Sequence, residues 1–128
     1  MKTIFILFIL VFTKHLSSQI EHDWILFATS TKIDENVYYD SKSIQIIDGN
    51  YEVWTKSIKS NYSYNDKSVS NTLTKVILSC SDRSYCFSKE IYYYTDGSNT
   101  IKWHTCDYLI SIEPESIQEL LYKRICIK

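Results

Sequence analysis

From residue 24 onward the apolar side chains fall into short runs rich in Tyr, Trp, Val, Ile and Thr, each closed by polar residues. The runs are WILFAT (24–29), NVYYD (36–40), YEVWTKSI (51–58), LTKVILSC (73–80), SYCFSKEIYYY (84–94) and TIKWHTC (100–106). Aromatic and β-branched residues in runs of this length predict an antiparallel sheet of six strands. Turn chemistry separates them: KIDE, IDGN with Gly49, and TDGSN with Gly97. The longest polar interval, KSNYSYNDKSVSN from Lys59 to Asn71, has no periodicity and reads as a mobile surface loop.

The pattern changes at the C-terminal end. In PESIQELLYKRIC, Ile117, Leu120, Leu121 and Ile125 recur at i, i+3, i+4 and i+8, the stripe of an amphipathic helix. Ser116 followed by Glu119 is a capping box, and Lys123 and Arg124 oppose the negative end of the helix dipole. A helix of about ten residues is marginal alone in water, so the stripe must dock on the sheet. The expected fold class is α+β, a six-stranded antiparallel sheet with one C-terminal helix on one face.

The opening MKTIFILFILVFTKHLSSQ has basic Lys2, an apolar run from Ile4 to Phe12, and small polar residues at Ser17 and Ser18. This is the layout of a secretory signal peptide, with a run too short to span a bilayer. Cleavage is expected after Ser18, giving a signal peptide over residues 1–18 and one domain over 19–128. Removing the leader takes away two lysines and leaves 12 basic against 15 acidic side chains, a net charge of −3. Such a balance gives no electrostatic case for nucleic acid or an anionic membrane, which would want a clustered basic face.

All four cysteines lie in the exported part, so disulfides are the expected state. A hairpin through Thr95, Asp96 and Gly97 pairs Ile91 with Ile101, Glu90 with Lys102, and Cys86 with Cys106 in one register. That register predicts a Cys86–Cys106 bridge. Cys80, set opposite Tyr85 by a turn through Ser81–Ser84, then goes to Cys126 at the helix end. It would share a face with Tyr85, Phe87, Ile91 and Tyr93, where the helix stripe could lie. The rival map, Cys80–Cys86 with Cys106–Cys126, requires a five-residue loop at SDRSY and stays open at this point.

Several residues together resemble the surface-adhesin protein E family of Gram-negative bacteria. They are Trp24, YYDSKSI (38–44), VW (53–54), Cys80 followed by DR, Tyr93, Gly97, PESIQELL (114–121) and Cys126. The resemblance implies a six-stranded antiparallel sheet whose concave face holds a C-terminal helix through a disulfide, with Cys80 and Cys126 as the matching cysteines. It also implies a bacterial exported domain that binds host extracellular-matrix or serum proteins. The family's type protein is a surface lipoprotein. Here no cysteine follows the apolar run, which favours the periplasm or secretion over a lipid anchor, and Cys86 and Cys106 are additions to the family pattern.

No catalytic motif, metal-ligand spacing or phosphate-cradling loop is present, so neither enzyme activity nor a cofactor is expected. His104 and Cys106, with His22 as a third candidate, could suggest a metal, but a solvent-facing histidine beside a disulfide accounts for them. Glu113, Glu115 and Glu119 are explained by helix capping and dipole complementarity. The tyrosines are the remaining signal, because Tyr38, Tyr39, Tyr62, Tyr64 and Tyr92 to Tyr94 exceed what a core of this size can hide. Exposed tyrosines are common strand formers. The functional reading is a protein-binding surface made of Tyr62 and Tyr64 on the long loop and Tyr92 and Tyr94 on the face away from the helix. The alternative to a binding module is a periplasmic structural or envelope-associated domain.

Overall fold

The computed structural model describes residues 21–128, and the expected signal peptide and its cleavage point lie outside the described residues. The main sheet runs in the order β1 (Trp24–Ser30), β2 (Glu35–Asp40), β4 (Asn50–Lys59), β6 (Lys67–Ser79), β7 (Ser84–Tyr94), β8 (Asn99–Trp103), all antiparallel. These six correspond to the expected strands. Three short strands bring the total to nine: β3 (Gln45–Ile47) and β5 (Ser63–Tyr64) pair with β4 and β6, and β9 (Ile110–Ser111) pairs with β7. The six-strand expectation is therefore corrected upward. The additions are two or three residues long, too short for alternation to be read.

The largest correction is the interval from Lys59 to Asn71. It folds as a hairpin, with Ser63 opposite Ser68 and Tyr64 opposite Lys67. Asn65 and Asp66 both have positive φ, 51° and 60°, as a two-residue type I′ turn requires, and Asn and Asp tolerate that region best among non-glycine residues. The Val69 amide donates to the Tyr62 carbonyl at 2.9 Å and closes the unit. As a result β6 starts at Lys67, well before the expected Leu73.

The β7–β8 register matches the expectation: Glu90 faces Lys102 and Ile91 faces Ile101. Cys86 is bonded to Cys106 with Cα atoms 5.8 Å apart, and Cys80 to Cys126 at 5.5 Å. The rival map is excluded. Cys80 itself lies in the turn, because Leu78, not Cys80, stands opposite Tyr85.

Helix α1 (Ile117–Cys126) begins at Ser116, whose hydroxyl accepts from the Glu119 amide at 3.2 Å. Only part of its expected stripe is buried. Leu121 is 2% exposed and Ile125 is buried, packing with Phe27, Val37, Val53, Val76, Leu78 and Ile112, whereas Leu120 is 42% exposed and Ile117 is also exposed. Ile117 and Leu120 instead border an open groove beside the β1–β2 hairpin, with Ala28, Thr29 and Ile33. Leu121→Ala should cost about 2–5 kcal/mol, and Leu120→Ala about 1 kcal/mol or less. Urea unfolding of the two variants measures the difference.

Candidate functional site

Cross-strand partners share a face, so the registers divide the sheet into two surfaces. One row on the helix side runs Val37, Ser57, Thr72, Tyr92, Thr100, and a row nearer the helix includes Val53, Val76 and Phe87. Tyr92 and Tyr94 therefore belong to the helix face, contrary to the expectation that they point away from it. The cause is a β-bulge in β7: Phe87 pairs with Val76, Lys89 pairs with Lys75, and Ser88 is left over. The extra residue inverts the alternation for everything after it. Ile91 and Tyr93, expected beneath the helix, move to the opposite face by the same inversion.

The four tyrosines also do not form an exposed set. Tyr92 is 7% exposed and Tyr94 is 5% exposed, and with Val69 they form a second core against which Tyr62 and Tyr64 pack. The Tyr64 ring stacks on Tyr92 with centroids 4.0 Å apart, and the Tyr94 hydroxyl donates to Thr100 Oγ1 at 2.8 Å. The β5 hairpin thus caps a part of the helix-bearing face that the helix does not reach. Between helix and sheet remains a cavity of about 120 Å³ bordered by Phe27, Glu35, Val37, Thr55, Val76 and Leu121.

On the opposite face, among the described residues, cover is confined to two edges: His22 stacks on Trp24 and lies with Lys42 beside Trp54 and Lys75, and the segment carrying Cys106 is bonded over Cys86. The face carries Trp24 and Leu26 from β1, Tyr38 from β2, Trp54, Lys56 and Ile58 from β4, and Leu73, Lys75 and Ile77 from β6. Lys89, Ile91 and Tyr93 from β7 and Ile101 and Trp103 from β8 complete it. All three tryptophans of the chain are here. Trp103 is 71% exposed, and Leu26, Ile58 and Ile101 are exposed as well. Lysines lie over the rings: Lys56 Nζ is 4.5 Å from the Trp24 centroid and Lys89 Nζ is 4.3 Å from that of Trp103. Lys75 and Lys89 both approach Trp54, at 5.7 and 5.9 Å. The tryptophans were visible in the sequence, but without the register nothing showed that they share a surface.

The polar residues weighed from sequence have structural partners. His104 Nε2 lies 2.8 Å from Glu90, and among the described residues no hydroxyl or thiol is hydrogen-bonded to it. Cys106 is bonded to Cys86. His22 Nδ1 lies 2.7 Å from Asp40. Burial alone would raise the Asp40 carboxyl, but the Asp23 amide, His22 and the Lys42 amide outweigh it and hold the group below its ordinary value. Glu119 joins Lys123 at 3.3 Å and Arg83 at 3.7 Å, and the Ser116 hydroxyl donates to the Glu113 carbonyl.

The chain matches no protein-family model, no curated protein and no solved structure.

Burial first, then the nearby Glu90 carboxylate and Tyr62 and Tyr64, push the Tyr92 phenol up to about 12. A phenol raised in this way contributes stability that is fully present below the unfolded value of about 10 and lost as pH rises from there through about 12. Absorbance titration should show one late-ionising tyrosine that vanishes in Tyr92→Phe. In Tyr64→Ala, which uncovers the ring, ionisation should move back towards the ordinary range.

Proposed function

We propose that the protein is an exported, non-enzymatic protein-binding domain that engages its partner through the face of the sheet opposite the helix. The observation that carries this reading is the gathering of Trp24, Trp54 and Trp103 with the exposed Leu26, Ile58 and Ile101 on one face that the rest of the described chain covers only at its edges. Contiguous exposed apolar area of this kind marks interaction surfaces, and tryptophan is the residue type that most concentrates binding energy. Two closed disulfides support export into an oxidising compartment. Among the described residues no helix is long and apolar enough to cross a membrane.

The resemblance to the surface-adhesin protein E family supports adhesion to host matrix or serum proteins as the form this binding takes. A periplasmic envelope-associated role is the second reading, to which two closed disulfides are equally suited. Protease shaving of intact cells separates them, removing a surface adhesin and sparing a periplasmic domain.

The position of the binding face is tested by capture from serum and matrix extracts. Trp103→Ser with Ile101→Ser should weaken capture by about tenfold or more. Tyr62→Ser with Tyr64→Ser, altering the hairpin on the other face, should leave it unchanged. The reverse outcome would return the site to the tyrosine cluster, and no saturable capture from any extract would favour the structural role.

A further inference from the structure

One row of the open face has a composition that burial does not explain. Trp54 stands directly opposite Lys75, Lys75 opposite Lys89, and Lys89 opposite Trp103. Like charges placed directly across neighbouring strands oppose each other, and here the two lysines lie between two tryptophans. Glu52 neutralises Lys75 at 2.6 Å, whereas Lys89 and Lys56 make no ion pair among the described residues. The registers place only Asp40, Glu52, Lys56, Lys75 and Lys89 on this face as charged side chains. Asp40 is buried beneath its own hydrogen bonds and Glu52 is already engaged. At the edge of the face Glu21 pairs with Lys42 at 2.8 Å, so the charges left without an ion pair on it among the described residues are the cations Lys56 and Lys89, although the whole chain carries a net charge of −1.

We infer that the Trp54–Lys75–Lys89–Trp103 row seats an acidic segment of a partner protein, with a carboxylate at Lys89 and apolar neighbours against Trp103 and the adjoining isoleucines. This rests on the reading of the open face as a protein-binding surface. Charge complementarity selects an anionic partner, and the remaining chemistry selects a polypeptide. A nucleic acid or sulfated polysaccharide presents a dense line of charge that calls for a clustered basic groove, and two unpaired lysines do not supply one. Stacked bases or sugars also need free ring faces, whereas ammonium groups sit over Trp24 and Trp103. Isolated carboxylates interspersed with aromatic or aliphatic side chains fit both components, because they meet the ammonium groups while Leu73, Ile77, Ile91 and Ile101 receive the apolar parts. Trp54 and Trp103 lie three strand spacings apart, about 14 Å, so a few residues of an extended segment cross the row.

Because all three tryptophans lie on this face, intrinsic fluorescence reports its occupancy. Folded protein titrated with a glutamate–tyrosine copolymer should show a saturable change that weakens at high salt. Affinity should fall by about tenfold or more in Lys89→Gln and further in Lys89→Glu, with the unfolding temperature as the check on folding. Tyr62→Ser should bind as the unsubstituted protein does. A copolymer response equally strong in Lys89→Glu, or none at all, would overturn the inference. So would heparin matching or exceeding the copolymer, which would assign the row to polysaccharide, or sedimentation showing self-association through this face, which would assign it to a second copy. A captured partner whose affinity depends on Trp103 but is indifferent to Lys89→Glu would leave the protein-binding face standing and remove the acidic segment. Capture indifferent to both would remove the face itself.

Discussion

The Cys80–Cys126 bridge is the constraint on which the rest of the arrangement depends. A ten-residue helix has little intrinsic stability, and one cross-link from the β6–β7 turn to its last residue fixes which face of the sheet it covers. In the chain-entropy model a loop of 46 residues closed in this way stabilises by about 4 kcal/mol. The bridge sets the position and burial secures it: Leu121 and Ile125 meet Val37, Val53, Val76 and Leu78, while Tyr122 reaches back to the Cys80 carbonyl at 3.3 Å. With the helix tied to one side, the other side is left for something else.

Dimensions explain the tyrosine hairpin. Ten helical residues span about 15 Å, whereas six strands extend about 24 Å across. The helix leaves one end of its own face bare, and the β5 hairpin folds over that end. Tyr64 stacked on Tyr92, with Lys67 Nζ 5.2 Å from the Tyr94 ring, forms a second small core separate from the first. This accounts for an aromatic content that a single core of this size could not hold.

The open face is kept from being a bare hydrophobic surface by lysines lying over its rings. Each cation–π contact is worth about 0.5–1 kcal/mol where solvent reaches it. The ammonium groups also surround the apolar rings with hydrated charge, which disfavours non-specific association. On the proposed reading of this face, such an arrangement keeps it in water until a complementary partner arrives and leaves its unpaired cations available to that partner.

Strand positions, turn chemistry and the C-terminal helix were legible in the sequence because each follows from local periodicity, and the disulfide map followed from one hairpin register that matched an ion pair, an apolar pair and two cysteines together. Asn65–Asp66 was a readable turn signal, but the two-residue strand before it was too short to show alternation. Which residues share a face could not be read in β7. A bulge depends on how two strands accommodate twist and packing across the pair, and the single unpaired Ser88 reversed the assignment of Glu90, Ile91, Tyr92, Tyr93 and Tyr94. By itself the sequence determined the six main strands, the helix and their order, and favoured one pairing of the cysteines over its rival. Only the tertiary structure decided that Tyr92 and Tyr94 are core and that the three tryptophans share the opposite face, because facing is a property of paired strands and not of either strand alone.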